Sequence, residues 1–150
     1  MSDYEFTMSL RLRHPHAEPA EITRNLGIEP EHTWRAGDPR RDSAGSKLTG
    51  AHRETYWMGH LMAAPELSSS RVGVESELLR TLAQLRKSFS FLETLKEEGG
   101  VGELHISIFA REDFRLEFPP EFLGLLGRIG LAVTLEVKPH PHGGAALEAS

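Results

Sequence analysis

The sequence predicts an α+β fold, in which a mainly antiparallel sheet has helices packed on one face. The first observation is the alternation of apolar and polar side chains over residues 4–13, which is typical of a half-buried strand. The second is a row of apolar side chains at spacings of three and four from Leu78 to Leu95, which indicates an amphipathic helix. The third is the order of such patterns, β-α-β-β-α-β-β-α-β, which favours a ferredoxin-like or related arrangement.

Length and charge favour one folded domain at residues 1–139, followed by a disordered tail at residues 140–150. The 150-residue chain has a formal net charge of −5, which argues against general nucleic-acid binding. It contains no cysteine, so it forms neither disulfides nor thiolate metal sites. It shows no signal segment and no apolar run of bilayer length, and we therefore expect a cytoplasmic protein that does not enter membranes.

Prolines and glycines divide the first half of the chain. Pro19 suits the first turn of a short helix, and Gly27 suits its C-terminal end. A brief strand is predicted at residues 33–36, and a turn-rich loop follows from residue 37 to residue 52. A loop of this length in a compact domain is usually functional or mobile. The aromatic run within residues 54–62 then predicts another strand.

The second half of the chain alternates strands with two helices. The helix that contains Leu78 to Leu95 ends before Gly99-Gly100, and Pro119-Pro120 opens the last helix. The other elements are a strand at 104–110, a turn at 111–113, a strand at 114–118 and a final strand at 131–137. The sheet face away from the helices would be polar, and either solvated or covered by the long loop, with Glu5, Ser9, Arg11, Arg13, His105, Ser107, Arg111 and Arg115 on it.

The candidate site centres on the block Trp34-Arg35-Ala36-Gly37-Asp38, which a plain scaffold of strands and helices does not need. Gly37 permits a tight turn, and Asp38 can cap the amides that follow it. Arg35 suits stacking on an indole, pairing with Asp38 or bidentate binding of an anion. Two alternatives follow. One is a structural corner that Asp38 caps and Arg35 braces; the other is a binding site formed by Trp34, Arg35, Gly37, Asp38, Arg53, Tyr56 and Trp57.

A second group of polar residues would support catalysis if its members met in a cleft. Asp38, His52 and Glu54 carry the groups of a general acid and a general base. The corresponding alternative is a hydrolase or transferase that acts on a phosphorylated or acidic substrate. Charged residues at the start of a strand are more often simply solvated, so catalysis is the weaker of the two functions.

Two histidine pairs raise the question of a metal site. His14-Pro15-His16 and His140-Pro141-His142 each place two imidazoles two residues apart, near the ends of the first and last strands. No HExxH motif, cysteine or suitable carboxylate spacing accompanies them. The glycine motifs that bind phosphate or dinucleotides are also missing from the sequence. We therefore expect no metal and no cofactor.

Four features follow one another along the sequence. They are the alternating first strand, the helix end Leu26-Gly27-Ile28-Glu29-Pro30, the block from Trp34 to Asp38, and the later Trp57. In this order they resemble a bacterial family, domain of unknown function 4279, over residues 4–137. The resemblance implies a small α+β domain, and it supplies no catalytic residue.

These residues favour a non-enzymatic binding domain over an enzyme. We expect its partner to be a protein or a small anionic ligand, because aromatic and arginine side chains dominate interface hot spots and arginine suits carboxylate or phosphate. Some small bacterial domains of this general kind neutralise toxins, which is an analogy that no motif here supports. A homodimer through the outer sheet face or an exposed edge strand is a further alternative.

Overall fold

The computed structural model describes residues 4–61, 67–68 and 73–139 of the chain. The prediction of a disordered tail at residues 140–150 lies outside these residues. Within the described part, no helix combines the length and the apolar character needed to cross a membrane. The α+β fold is confirmed, with a mostly antiparallel sheet and helices that share one core with it.

The main sheet has the strand order β2-β5-β1-β7-β8, and β6 adds a short pairing to β1. All of its pairs are antiparallel except β7 with β8, which is parallel. A separate two-stranded sheet is formed by β3 and β4. The strands are β1 Tyr4–His14, β2 His32–Trp34, β3 Pro39–Arg41, β4 Lys47–Ala51, β5 Thr55–His60, β6 Leu67–Ser68, β7 Val101–Ala110 and β8 Leu131–Pro139.

In the part of the chain that the structure describes, four helices share the core with the apolar face of the main sheet. Pro19 opens the first helix, and Gly27 ends it with a left-handed φ of 68°, as predicted. Every second residue of β1 from Phe6 to Leu10 is fully buried beneath these helices. The helices are α1 Pro19–Leu26, α2 Val74–Leu85, α3 Phe89–Glu97 and α4 Pro120–Ile129.

The long helix predicted from the apolar row between Leu78 and Leu95 is interrupted. A 3₁₀ turn at Arg86–Ser88 separates α2 from α3. Ser88 is buried there, and its hydroxyl donates a hydrogen bond to the carbonyl of Asn25 at 2.8 Å. The apolar spacing of three and four residues runs on through this short turn, so the sequence gives no sign of it.

The strand predicted at residues 114–118 is wrong. These residues make no strand pairing, because β7 and β8 are parallel and need a crossover connection instead of a hairpin. The crossover packs on the core through Phe114, whose ring lies 5.2 Å from that of Tyr4. The Glu117 amide also donates to the Glu75 carboxylate at 3.2 Å. The apolar and polar residues of this segment therefore alternate because one of its sides packs on the core, and not because it is a strand of the sheet.

The prediction of a turn-rich loop at residues 37–52 needs correction, because two short strands within it, β3 and β4, pair as a hairpin. Its turn is closed by the Asp42 carboxylate, which accepts hydrogen bonds from the Ala44 and Ser46 amides at 2.9 Å. Gly45 takes a left-handed φ of 87° within the turn. The turn residues were recognised in the sequence, but the short strands between them were not.

We expect Tyr4→Phe to lower the free energy of unfolding by about 1–3 kcal/mol, the usual cost of leaving a buried amide unsatisfied. The Tyr4 hydroxyl accepts a hydrogen bond from the Val74 amide at 3.0 Å, at the buried start of α2. Chemical denaturation at neutral pH measures the change. Tyr56→Phe is the matched control, and an equal loss in both variants would contradict the assignment.

The same variant changes the alkaline limit of stability. Burial, aided by the nearby Glu75 carboxylate, raises the pKa of Tyr4 above its ordinary value of 10.0, although the Val74 hydrogen bond acts in the opposite direction. The unfolded chain therefore releases this proton first. The protonated Tyr4 hydroxyl therefore contributes fully to stability below pH 10, and this contribution is lost as the pH rises through the pKa of the folded state. Tyr4→Phe should lack this alkaline loss of stability, which denaturation measured at a series of pH values would show.

Candidate functional site

The two tryptophans lie on opposite faces of the main sheet. Trp34 pairs with Tyr56 across β2 and β5, whereas the neighbouring Thr33 pairs with Trp57. Successive residues of a strand point to opposite faces, so Trp57 faces the helices. It is fully buried, and its indole N–H donates to the Thr23 hydroxyl at 3.0 Å. The structure therefore places Trp57 in the core and apart from the other predicted site residues.

Trp34 stands in the middle of a stack on the outer face. Its ring lies 4.2 Å from the His52 ring at an angle of 14°, and 4.6 Å from the Tyr56 ring at 26°. The Arg13 guanidinium lies 5.9 Å from the Tyr56 ring centre on the same face. We call these four residues, His52, Trp34, Tyr56 and Arg13, the aromatic stack. Both faces of the Trp34 indole are covered, so a partner would meet its edge.

The residues after Trp34 form a tight corner held by its own hydrogen bonds. The Arg35 amide donates to the Asp38 carboxylate at 2.9 Å, and the Asp38 amide donates back to the Arg35 carbonyl at 3.0 Å. Gly37 has a φ of 92°, a conformation that favours glycine, and its amide donates to the His52 carbonyl at 2.8 Å. This geometry is that of the structural corner, in which Asp38 caps the turn.

Arg35 braces the corner with its side chain. Its guanidinium lies 3.2 Å from the Glu18 carboxylate and 3.8 Å from the Asp38 carboxylate. Two anions therefore already neutralise this cation. Exposed pairs of this kind contribute only about 0–1 kcal/mol each, so the backbone bonds of the corner matter more than the ion pairs.

The hairpin beyond the corner is the most open part of the site. Every residue from 39 to 51 is exposed, so neither side of the hairpin packs on the domain. Residues 39–53, which we call the basic arm, hold the cations Arg40, Arg41, Lys47 and Arg53 against the single carboxylate of Asp42. Arg40 donates to the carbonyl of Thr49, and Arg41 donates to the carbonyl of Gly45. These carbonyls are uncharged, so they do not neutralise the two guanidinium groups.

The residues suggested for catalysis are engaged in other contacts. The Asp38 carboxylate belongs to the corner, the His52 ring stacks on Trp34, and the Glu54 carboxylate lies 3.9 Å from the Arg13 guanidinium. The one direct link between Asp38 and His52 is a backbone hydrogen bond of 2.9 Å from the His52 amide. Among the described contacts, none joins two of these side chains as an acid–base pair would require.

The first histidine pair has a structural role at the end of β1. His14 is 1% exposed, and its Nδ1 accepts hydrogen bonds from the His16 and Ala17 amides at 3.0 and 2.9 Å. Its Nε2 lies 3.0 Å from the Glu98 carboxylate, so both ring nitrogens are occupied. No group of three or more candidate metal ligands occurs within residues 4–61 and 73–139. The pair at residues 140–142 lies outside the described residues.

The sheet face away from the helices is polar but not uniformly wet. Ser9 and His105 are directly paired on it, yet they are only 6% and 9% exposed. Residues 39–51 of the basic arm are exposed, while its His52 ring stacks on Trp34 at this face. The prediction that Arg111 and Arg115 belong to the face is wrong, because both follow the end of β7.

Sequence reasoning missed the partners Arg13 of Tyr56 and Glu18 of Arg35. Arg13 reaches the aromatic stack because β1 pairs with β5, and Glu18 reaches Arg35 from the start of α1. Both contacts join distant parts of the chain. No local pattern reports such contacts, although the position of Arg13 on the polar side of β1 was predicted.

Comparison with known proteins gives one finding. The family model described as "Domain of unknown function (DUF4279)" matches residues 4–140, which is most of the chain. The match confirms the resemblance carried by the block from Trp34 to Asp38. Searches of the curated proteins and of the solved structures returned no match.

Two single-tryptophan variants test the opposite placement of the rings. Trp34→Phe leaves Trp57, whose emission we expect to be blue-shifted and nearly insensitive to acrylamide because the ring is buried. Trp57→Phe leaves Trp34, whose emission we expect acrylamide to quench. This variant should also lower the free energy of unfolding by about 2 kcal/mol, through a lost hydrogen bond and a small cavity. Equal quenching of the two variants would contradict the described register.

Proposed function

The chain belongs to the DUF4279 family, and from the geometry of its site we propose that it is a non-enzymatic protein-binding domain of the bacterial cytoplasm. Its partner is a protein with an acidic surface, and the basic arm is the element that binds it. The aromatic stack and the corner hold the arm in place. Neutralisation of a toxin is one form that such binding could take, by analogy alone.

One observation carries this proposal: a basic hairpin projects from an acidic domain, and all of its residues from 39 to 51 are exposed. The arm has four cations and one carboxylate, whereas the whole chain has a formal net charge of −5. A two-stranded hairpin alone is marginally stable in water, so an element that buries none of its residues gains stability from a partner. An acidic partner would meet a concentration of opposite charge on the arm, which favours one orientation.

The pairing within the arm adds a second argument. Arg41 and Lys47 occupy directly opposite positions of β3 and β4. Like charges in such positions repel each other, and an anion that contacts both side chains relieves the repulsion. The opposed cations Arg41 and Lys47 are therefore better stabilised by a bound carboxylate than by water.

The distribution of the cations favours an extended partner over a small anion. Arg40 and Arg41 are neighbours in one strand, but their guanidinium groups reach different parts of the hairpin, the carbonyls of Thr49 and Gly45. Arg35, which would complete a compact anion site, already pairs with Glu18 and Asp38. A row of carboxylates on a protein surface can meet separated cations, whereas a single phosphate cannot.

The corner and the aromatic stack supply rigidity at the base of the arm. Gly37 and His52 are joined by a hydrogen bond on one side of the base, and the His52 ring stacks on Trp34 on the other. Fixing the base reduces the conformational entropy lost when the arm binds. Trp34, which is half-buried, adjoins the arm, where an aromatic side chain would strengthen an interface.

The test is a titration of the isotope-labelled chain, followed by NMR, with an oligoglutamate peptide, inorganic phosphate or a single-stranded oligonucleotide. We expect the peptide to shift the amides of residues 39–53 and the Trp34 indole, with an affinity that falls as salt increases. The double variant Arg40→Glu/Arg41→Glu should raise the dissociation constant of the peptide about tenfold or more, since two charge-assisted contacts become repulsive.

The matched control is Arg24→Glu/Arg115→Glu, which changes the net charge equally at two exposed positions outside the arm. We expect it to bind the peptide nearly as the wild type does. Equal weakening in both double variants would mean that net charge alone is responsible and would sink the proposal. Stronger shifts with phosphate or with the oligonucleotide would assign the arm to a different class of ligand.

A further inference from the structure

The last strand of the main sheet has an open outer edge. β8 pairs with β7 on one side, and no strand among residues 4–61, 67–68 and 73–139 pairs with its other side. The strand is nine residues long, and its only proline is the last residue, Pro139. Such an edge presents unpaired N–H and C=O groups that can continue the sheet into another chain.

The apolar layer of the sheet continues along β8 from the buried Leu131 to residues that the helices leave exposed. Leu135 pairs with Ile106 of β7, and Val137 pairs with Ile108, so each pair shares the helix face. The two residues of β7 are fully buried, whereas Leu135 is 41% exposed and Val137 is 57% exposed. The open edge therefore also carries an exposed apolar strip, formed by Leu135 and Val137, which a chain paired with β8 would bury.

We propose that the occupant is a second copy of this chain, paired antiparallel to β8 about a two-fold axis at Leu135. That axis lies at the centre of the strand, so all nine residues find a partner. Leu135 then faces its own symmetry mate and Val133 faces Val137, which extends the apolar layer across the interface. An interface of this type uses the same surface twice, which is the usual form of a homodimer.

The polar side of β8 is compatible with this register. Glu136 falls opposite Thr134 and Lys138 falls opposite Ala132, so no like charges face each other directly. The two Glu136 side chains lie diagonally, roughly 7–8 Å apart, and each is paired with Lys138 of its own chain at 2.6 Å. The charges that commonly guard an edge strand thus neutralise each other here.

The proposed dimer is independent of partner binding by the basic arm. β8 and β2 are at opposite ends of the sheet, and the arm follows β2. A dimer through β8 would therefore leave both arms free. Two arms on one particle would strengthen binding to a repeated or dimeric acidic partner without any new contact.

The first experiment is sedimentation equilibrium of the full chain, for which we expect twice the monomer mass of 16.7 kDa. Leu135→Arg should raise the dissociation constant of the dimer about thirtyfold or more, the scale of a central hot spot. The control, Leu123→Arg, alters an exposed leucine of α4 and should leave the mass unchanged. A monomeric wild type, or a dimer that survives Leu135→Arg, would overturn the proposal.

A second experiment tests the register, and the absence of natural cysteine makes it clean. Single variants Ala132→Cys, Thr134→Cys and Lys138→Cys carry one spin label each, which leaves Leu135 intact. We expect the shortest distance between chains at position 134, the labelled position nearest the axis. Positions 132 and 138 should give equal, longer distances, with backbone separations of roughly 20 Å. Unequal values at these two positions, or a shortest distance elsewhere, would reject the two-fold pairing about Leu135.

Discussion

The structure depends on the alternation of side chains along β1. This strand lies in the middle of the main sheet and pairs with β5, β6 and β7. Its apolar side, which includes Phe6, Met8 and Leu10, is fully buried, and each such side chain contributes roughly 1.5–3 kcal/mol through removal from water. A shift of one residue in register would expose this entire row, so the two faces of the sheet are strongly fixed.

The two faces explain why neighbouring tryptophan positions serve different purposes. β5 takes its register from β1, and β2 takes its register from β5. Trp57 therefore falls on the helix face and completes the core, while Trp34 falls on the outer face and stacks on Tyr56. The corner at Gly37 and Asp38 starts from that stack and directs the chain away from the sheet into the basic arm. The fold thus determines where the arm begins, and the arm adds little to the fold.

The elements that the sequence predicts correctly are those with a local signal. β1 alternates with period two, α1 has proline and glycine at its ends, and α2 with α3 keeps an apolar row despite the 3₁₀ turn at Arg86–Ser88. The β3–β4 hairpin escaped prediction because both of its sides are exposed, which leaves no alternation to detect. The segment around Phe114 alternates because one side packs on the core, and that pattern alone cannot show whether a strand pairs.

For the site, the turn at Gly37 and Asp38 was predictable from residue chemistry. The contact of Arg13 with the Tyr56 ring and the stacking of His52 on Trp34 were not, since both depend on how distant parts of the chain pair.

Residue-resolved amide hydrogen exchange tests the central claim, that a sheet centred on β1 is the stable unit and the arm is built onto it. We expect the amides of Phe6, Met8 and Leu10 to exchange only through global unfolding. Amides of the hairpin should exchange much faster, through local opening that leaves β1 protected. Protection of the arm equal to that of β1 would contradict the account, because the hairpin would then belong to the cooperative core of the isolated domain.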